Sequence, residues 1–489
     1  MKNNILRSTS LALTGVAAAA LLSGCAAVGP NFTPPAAPTA QGYVMAGDDA
    51  NPGPVQTAVG DQVAADWWTL FRSPALDTVV RQALADNRSL AQARARLAAA
   101  HEAVTAESGL FSADLTGGVQ RERANLNAFS GGAFSTPAAA GFPTNPEYNL
   151  YSISPSISYN LDLFGGVRRR AESLKATEEA QARELDAADL TLTGHIVEQA
   201  LTIADANIQI RDLSELAQTD QADLDMLRRA QTAGGASRAD VAQAEAALAQ
   251  DQAAVPVQRQ RLAAARHRMA VLVGKSPSEW TPPDFDIGSG SMPASLPVSL
   301  PSALVRQRPD ILEAEAQLHA ATADIGVATA NLYPNITLSA NIAQNALTPQ
   351  TMFAPIADSW AVGAGLTAPI FHSGELKAKQ RQAQDDARAA LAAYEETVLE
   401  AFGQVDDALQ AIAHDNQAYA EQTAAVEAAT QKLEMLRRAQ AAGGASAQDV
   451  IHSERQWRQL KLTLSQQGTG RFADAARLLL VTASPPPPA

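Results

Sequence analysis

The sequence predicts a mixed α and β chain that is internally duplicated, with two β-strands and a long helical hairpin in each half. Three observations predict this fold. A sixteen-residue stretch occurs twice, 209 residues apart, with thirteen identical positions. Four stretches alternate apolar and polar residues with the two-residue period of a half-exposed strand. Two stretches of more than sixty residues contain no proline and consist mainly of good helix formers.

Residues 1–24 have the pattern of a secretory signal peptide. Lys2 and Arg7 precede an apolar run over residues 11–22, which is too short to span a bilayer as a helix. The run ends in Leu-Ser-Gly followed by Cys25, a sequence that resembles the lipobox of bacterial lipoproteins. In that family the cysteine becomes the lipidated first residue, so Cys25 is the predicted lipidation site.

Cys25 is also the only cysteine of the chain, which excludes an internal disulfide and a cysteine-based metal cluster. The alternative interpretation is an ordinary signal peptide that happens to contain a cysteine. Ala26 stands where the inner-membrane retention signal of lipoproteins would place Asp. By this resemblance the mature chain is anchored in outer membrane lipid of a Gram-negative bacterium and extends into the periplasm.

Charge and histidine spacing exclude other functions. Removal of the signal peptide takes away two of the 37 cations and none of the 51 acids, which changes the net charge from −14 to −16. Such an acidic chain is not expected to bind nucleic acid. The seven histidines lack metal-ligand spacing, and no stretch has the pattern of a catalytic or cofactor site. We therefore predict that the chain is not an enzyme and holds no cofactor or metal.

Each half contains two predicted strands. From Tyr151 to Leu163 the odd positions are apolar or proline and the even positions are polar, which predicts one apolar and one polar face. Strands of about ten residues can cross a bilayer in a tilted barrel; ordinary hairpins on a soluble core are the alternative. The predicted strands span about 111–123, 150–163, 334–343 and 359–371. The residues predicted to face lipid are Tyr151, Ile153, Ile157, Tyr159, Val362, Leu366 and Ile370, and those predicted to face the lumen are Ser154, Ser156, Thr337 and Gly363.

A long helix follows each pair of strands, over residues 167–232 and 375–441, and each should be about 100 Å long. Return helices are predicted over residues 238–272 and 447–480, and the repeated stretch lies at the turn between the two helices. In each turn a Gly-Gly pair supplies the positive φ that ends a helix, and an S-x-x-D sequence caps the next. The first turn has Gly234, Gly235, Ala236 and Ser237 with Asp240, and the second has Gly443, Gly444, Ala445 and Ser446 with Asp449.

The remaining stretches complete the predicted organisation. A shorter helix is predicted from Ser73-Pro74 to about residue 108, and its counterpart in the second half opens with Arg308-Pro309-Asp310. No stretch after the signal peptide has 18 consecutive apolar residues, so no helix is expected to cross a bilayer. The predicted segments are the signal peptide 1–24, a lipidated N-terminal tether 25–66, the first repeat 67–273, a Pro-rich linker 274–301, the second repeat 302–482 and a disordered Pro-rich tail 483–489.

Four strands cannot close a barrel, and an open sheet edge cannot face lipid. Since the smallest known barrels have eight strands, at least two chains must combine their strands if these strands lie in a membrane. Amphipathic helices of about 100 Å with Ala-rich faces likewise need neighbours along their whole length. A tube of helices that continues a tube of strands would satisfy both requirements.

The chain resembles the outer membrane factors, the TolC-like family, in the lipoprotein branch of the NodT/OprM type. No single motif is decisive, but the order and duplication of the matching residues are specific and cover nearly the whole mature chain. The first half departs from the pattern at Phe111-Ser112, where the second half has Tyr333-Pro334. The other matching residues are Cys25-Ala-Ala-Val-Gly-Pro-Asn-Phe with Pro34-Pro35, Trp67-Trp68 with Phe71 and Leu76, Leu161-Asp-Leu-Phe-Gly165, Arg308-Pro309-Asp310 with Ala314-Glu315, Pro369-Ile370-Phe371 and both AGGAS turns.

The resemblance implies a homotrimer in which a twelve-stranded outer-membrane β-barrel is continued by a long periplasmic α-helical barrel of twelve helices. The N-terminal, linker and C-terminal segments would form an equatorial belt. The resemblance also implies two partners, a periplasmic adaptor protein and an inner-membrane pump of the resistance-nodulation-division (RND) type.

The predicted function is a passive exit duct for drugs or other small solutes in a tripartite efflux system. The alternatives are the exit channel of a type I protein secretion system and a lipid-anchored coiled-coil scaffold without a pore. The eight residues of the two turns are predicted to dock the adaptor, although helix capping alone also explains them. A periplasmic gate is predicted in which Asp240 and Asp449 pair with arginines of a neighbouring chain. The candidate arginines are Arg228, Arg229, Arg437 and Arg438.

Overall fold

The computed structural model describes residues 27–37, 42–45, 56–60, 63–107, 111–123, 147–285 and 295–484. Cys25, the loop between the first two strands and the terminal prolines lie outside these ranges. The predicted mixed α and β class is confirmed, and none of the described helices is both apolar and long enough to traverse a membrane. In chain order the elements are β1 Gln56–Val59, α1 Pro74–Asp86, α2 Arg88–Glu107, β2 Phe111–Arg123, β3 Glu147–Asn160, α3 Gly166–Thr232, α4 Arg238–Leu272, β4 Ser295–Val298, α5 Pro301–Leu304, α6 Pro309–Ala330, β5 Asn335–Ala346, β6 Asp358–Thr367, α7 Glu375–Ala441 and α8 Ala447–Thr482.

The chain divides into two compact units. Unit 1 consists of the described parts of residues 1–33, 100–178 and 317–390, and unit 2 of the described parts of residues 34–99, 179–316 and 391–489. Unit 1 contains a four-stranded antiparallel sheet with the order β2-β3-β5-β6. Its strands β2 and β3 pair over thirteen positions, and β5 and β6 pair over ten. The register between β3 and β5 is interrupted at Pro155, which has no N–H to donate.

Two strands end earlier than the alternation predicted. The predicted ends at residues 163 and 371 were wrong, since β3 ends at Asn160 and β6 ends at Thr367. Asp162 has a φ of 39°, and its carboxylate accepts hydrogen bonds from the N–H groups of Val167 and Arg168. This residue therefore caps the first turn of α3 instead of extending the strand.

Proline explains the other early end, because Pro369 cannot donate to a ladder. β5 shows the opposite difference and runs to Ala346, three residues beyond its predicted end. The alternation stops at Ile342, but Gln344 still pairs with Asp358 of β6 and donates to its carboxylate at 2.5 Å. Backbone pairing thus extends the sheet beyond the alternating stretch.

The helix predicted from residue 73 to about 108 is interrupted, and α1 and α2 meet at Asn87. Asn87 has an extended backbone, with φ −62° and ψ 133°. Its side-chain oxygen accepts the N–H of Leu90 at 3.0 Å, and its side-chain amide donates to the carbonyl of Leu272 at 2.7 Å. Asparagine prefers such local hydrogen bonds to a place inside a helix. The prediction missed the break because good helix formers stand on both sides of it.

The hydrophobic core of unit 2 collects side chains from distant parts of the sequence. Each fully buried Leu, Ile or Met side chain contributes about 1.5–3 kcal/mol to this packing. A parallel pair of β1 and β4, and a bridge from Val63 to Ala483, bring the N-terminal segment, the linker and the C-terminal end of α8 together. Among the most buried core residues are Trp67, Leu76, Ile196, Met269 and Leu479.

A row of polar contacts, here called the polar seam, joins α3 to α8 in unit 2. In each contact α8 donates a hydrogen bond and α3 accepts it. Hydrogen bonds weaken steeply when their geometry changes, so such contacts fix the register of two helices. The contacts are Arg455 to Asp220 at 2.6 Å, Arg458 to Glu215 at 2.7 Å, Ser465 to Asp212 at 2.9 Å and Gln466 to Gln209 at 2.9 Å.

Asp220 is the most buried acid of the polar seam, with 2% of its side chain exposed. Burial and a carboxyl contact with Asp251 raise the pKa of Asp220 to about 6, although Arg455 acts in the opposite direction. Arg455 also donates to Asp251 of α4 at 3.3 Å. Because the pKa of Asp220 is higher in the folded than in the unfolded chain, protonation of this group stabilises the folded state as the pH falls through 6.

We predict that Asp220→Asn reduces the pH dependence of stability, since asparagine cannot take up the proton. Between about pH 7.5 and about pH 5 the wild-type Tm should gain a contribution from this group that the variant lacks. The measurement is thermal unfolding of both proteins at the two pH values. Asp225→Asn, on an exposed position of the same helix, is the matched control and should keep the wild-type pH dependence. Equal pH dependence of the Asp220 variant and wild type would contradict the prediction.

Candidate functional site

The register of the four strands places apolar side chains in line across one face of the sheet in unit 1. Ile157 of β3 lies opposite Ala340 of β5, which lies opposite Val362 of β6. On the other side of β3, Tyr151 lies opposite Val119 of β2. Large apolar side chains on this face are exposed in the single chain: Leu115, Val119, Ile157, Tyr159, Leu338, Ile342, Trp360, Val362 and Leu366.

The opposite face of the sheet is polar. The hydroxyl groups of Ser112 and Ser158 lie 2.7 Å apart across the first two strands. Ser156 pairs with Asn341, and Thr337 pairs with Gly365. The residues predicted to face lipid thus share one face, apart from Ile370, which lies beyond the end of β6. The four residues predicted to face the lumen share the other face.

The two outer strands of this sheet have open edges. In the sheet as described, β2 pairs only with β3 and β6 pairs only with β5. Every residue of β6 is exposed. Free backbone N–H and C=O groups line both edges, and lipid cannot form hydrogen bonds with them. Water can form these hydrogen bonds, but it is an unfavourable environment for the exposed apolar face. The sheet therefore requires partner strands at its edges and an apolar environment on one face.

The turns of the two helical hairpins have the same geometry. Gly234 and Gly443 take the left-handed conformation, with φ of 78° and 77°. The N–H of Gly235 reaches the carbonyl of Ala230 at 2.8 Å, which is the hydrogen bond of a Schellman motif. Gly444 forms the equivalent bond to Ala439 at 2.7 Å. Each turn exposes two glycines with little side-chain bulk around them.

Both return helices begin with a complete capping box. The Ser237 hydroxyl accepts the N–H of Asp240 at 3.1 Å, and the Asp240 carboxylate accepts the N–H of Ser237 at 2.8 Å. Ser446 and Asp449 repeat this pair at 3.1 and 3.0 Å. The hydrogen bonds from the serines hold the pKa of each aspartate below its usual range. Both predicted gate acids, Asp240 and Asp449, thus already accept helix-capping hydrogen bonds within the single chain.

The predicted gate arginines have other partners in the described chain. Arg228 pairs with Glu245 at 2.7 Å, and Arg437 pairs with Glu454 at 3.0 Å. Arg229 donates to the carbonyl of Asp225, and Arg438 pairs with Glu434. Among the described residues, no salt bridge joins any of the four arginines to the two capping aspartates, and the pairing across chains stays a prediction.

Sequence reasoning missed the two glutamates that brace the hairpins. Glu245 follows Arg228 by 17 residues, and Glu454 follows Arg437 by the same spacing. Repetition of this arginine-to-glutamate spacing in both halves was a readable signal. Such exposed pairs contribute at most about 1 kcal/mol each, but they cross from one helix to its return helix close to the turn. They therefore orient the exposed ends of the hairpins.

Comparison with known proteins agrees with this geometry. The family model described as Outer membrane efflux protein matches residues 79–275 and 300–482. Nodulation protein T of Rhizobium leguminosarum bv. viciae is 30% identical over 449 residues, which cover 89% of this chain and 86% of that protein. The probable outer membrane lipoprotein SilC of Salmonella typhimurium is 26% identical over 463 residues, with 94% and 96% coverage.

Solved structures of outer-membrane channels also have this fold. The structure of the outer-membrane channel OprN superimposes with a TM-score of 0.78 at 26% identity, over 94% of this chain and 99% of that chain. The family consists of membrane channels rather than enzymes. The chain therefore belongs to the outer membrane efflux protein family, resides in the outer membrane and functions in efflux.

Proposed function

We propose that three copies of this chain form a passive exit duct through the outer membrane, which carries drugs or other small solutes out of the cell. The observation that carries the proposal is the sheet of unit 1. Its apolar face suits lipid, its polar face suits a water-filled lumen, and its open edges suit strands of other copies. Efflux by the family supports the duct over the scaffold without a pore.

The width that a duct needs favours more than two copies, and the family resemblance implies three. Two copies would supply eight strands, and the interior of an eight-stranded barrel is just wide enough for its own side chains to fill. Three copies would supply twelve strands and leave a wider lumen. The edges of β2 and β6 would then meet around the ring, so that no backbone edge faces lipid.

The long helices suit a duct that continues into the periplasm. α3 and α7 each contain 67 residues, which corresponds to about 100 Å of helix. In a trimer, α3 and α7 with their return helices would surround the continued lumen. We propose that a periplasmic adaptor binds the exposed turns at 234–237 and 443–446 and connects the duct to an inner-membrane pump of the RND type. The pump would then supply the energy.

The duct is tested by reconstitution. Purified protein in planar bilayers should conduct in discrete steps. Val362→Arg places a charge on the apolar face and should oppose insertion by about 2–4 kcal/mol. Gly363→Arg, the matched control, places the same charge on the polar face, where an added Cβ meets no atom within 4 Å. The proposal is contradicted if the wild-type protein shows no conductance, or if both variants lose membrane insertion to the same extent.

Adaptor docking is tested at the second glycine of each turn. A Cβ at Gly235 or Gly444 would lie at an ordinary 3.6 Å from the nearest atom, so the fold tolerates a side chain there. The double variant Gly235→Glu with Gly444→Glu should leave the trimer intact and abolish both co-purification with the adaptor and drug tolerance. Gly235→Ala with Gly444→Ala is the control and should retain both. If the glutamate variant still binds the adaptor, the turns are only helix caps.

The lipid anchor is tested at Cys25. Cys25→Ser should abolish palmitate labelling and slow assembly, although the barrel can still insert, because its lipid-facing surface exceeds that of one acyl anchor. Ala26→Asp retains the cysteine and supplies the retention residue, so this control should be labelled but remain in the inner membrane. The name of SilC, an outer membrane lipoprotein, supports the anchor. Unchanged labelling of the serine variant would disprove it.

A further inference from the structure

Arg169, at the start of α3, is a buried cation that contacts the N-terminal segment. Only 4% of its side chain is exposed. Its guanidinium donates to the carbonyls of Val28 and Gly29 at 3.1 and 3.3 Å, and to the side-chain oxygen of Asn31 at 2.7 Å. A planar guanidinium with five donors can serve several acceptors at once, which an ammonium group cannot do in the same geometry. Three of the contacts of this arginine thus hold residues 28–31.

The charge of Arg169 is balanced on the other side by Glu172. Glu172 accepts from Arg169 at 2.7 Å and contacts the ring nitrogen Nε2 of His319 at 3.1 Å. Burial raises the pKa of Glu172, but the hydrogen bonds of these two partners outweigh it and hold the pKa below its usual range. The ring of His319 also stacks on Phe32 at 4.4 Å. An ionic network of α3 and α6 therefore ends on the N-terminal segment.

Two glycines allow the segment to lie directly on the helices. Gly29 has a φ of 91°, and a Cβ there would lie 2.5 Å from the Cα of Gly326 in α6. A Cβ on Gly326 would in turn lie 2.7 Å from the Arg169 side chain. Any larger residue at either position would separate the segment from the arginine. Side chain and backbone are thus fitted to each other at this site, here called the Arg169 cleft, which consists of Arg169, Glu172, His319 and Gly326.

The segment in this cleft begins three residues after Cys25. The N–H of Val28 donates to the carbonyl of Phe164 at 3.1 Å, immediately before α3 begins. Three residues of fully extended chain reach about 11 Å. The segment that follows the predicted lipidation site is thus held against Phe164, at the boundary between β3 and α3.

We propose that the Arg169 cleft is a binding site for the segment that follows the acylated cysteine, and that it fixes the lipid anchor at the boundary between strands and helices in unit 1. This inference rests on the proposed lipidation of Cys25. The periplasmic surface of the outer membrane then lies at this boundary. Exposed aromatic residues agree with that position, since Tyr333 stacks on Phe164 at 4.5 Å and Phe371 follows the end of β6.

The hold on the segment is measured by proteolysis after Phe32. Chymotrypsin cleaves at this residue only when the segment leaves the cleft, so the rate reports the open fraction. The assembled, full-length protein is labelled with palmitate, and release of label and loss of residues 25–32 are both followed. Arg169→Ala should accelerate the cut about tenfold or more, because it removes several charge-assisted hydrogen bonds. Arg170→Ala changes the exposed neighbouring position, and chymotrypsin should cleave this variant at the wild-type rate.

Two further measurements separate a specific hold from general damage. Methylguanidinium at millimolar concentration should restore protection to Arg169→Ala, because it refills the cleft with the missing donors. Gly29→Val changes only the segment and leaves α3 intact. Chymotrypsin should also cleave this variant about tenfold faster than wild type, and methylguanidinium should not restore its protection. The proposed role of the Arg169 cleft is wrong if chymotrypsin cleaves Arg169→Ala as slowly as wild type, or if Arg170→Ala is cleaved as fast as Arg169→Ala. If the wild-type protein carries no palmitate, the proposed lipidation of Cys25 is wrong. The mass of the chain after digestion still shows whether the cleft holds residues 28–31.

Discussion

Backbone hydrogen bonding at the two edges of the sheet is the constraint on which the rest of the architecture depends. In the hydrocarbon of a bilayer there is no water to accept from a free N–H group, so an open edge is far more costly there than in solution. β2 and β6 each have one partner in the described chain. Their outer edges therefore need partner strands before the sheet can lie in a bilayer, and its apolar face suits the lipid there.

Unit 2 uses two different kinds of contact between its long helices. Near the first turn, α3 and α4 share an apolar cluster of Leu224, Leu227, Val241, Ala244 and Leu248. Between α3 and α8 the contacts of the polar seam are directional hydrogen bonds, and burial raises the pKa of its carboxyl group Asp220 to about 6. Apolar contacts tolerate small displacements, whereas hydrogen bonds lose most of their energy when geometry changes. Within the hairpin, the ion pairs of Arg228 with Glu245 and of Arg261 with Asp205 add directional contacts to the apolar cluster.

The sequence predicted the long helices and their turns well, because these have local signals. Helix-forming composition, a Gly-Gly pair and an S-x-x-D cap fixed the turns at Ser237 and Ser446 in advance. Strand ends were less predictable, since alternation continues past Asn160 although Asp162 is committed to capping α3. The polar seam and the Arg169 cleft were not predicted at all. Asp220 and Arg455 are 235 residues apart, and periodicity does not specify which distant charges meet.

The polar seam also distinguishes the two halves of the duplicated chain. Its four donors on α8 are Arg455, Arg458, Ser465 and Gln466, and subtraction of the 209-residue offset places Ala246, Ala249, Pro256 and Val257 at the equivalent positions of α4. None of these four side chains can donate a hydrogen bond. The two halves are therefore nearly identical at the hairpin turns and differ along the return helices. In a ring of three chains, the turns would repeat six times around the axis, whereas the hydrogen-bonded flank would repeat only three times.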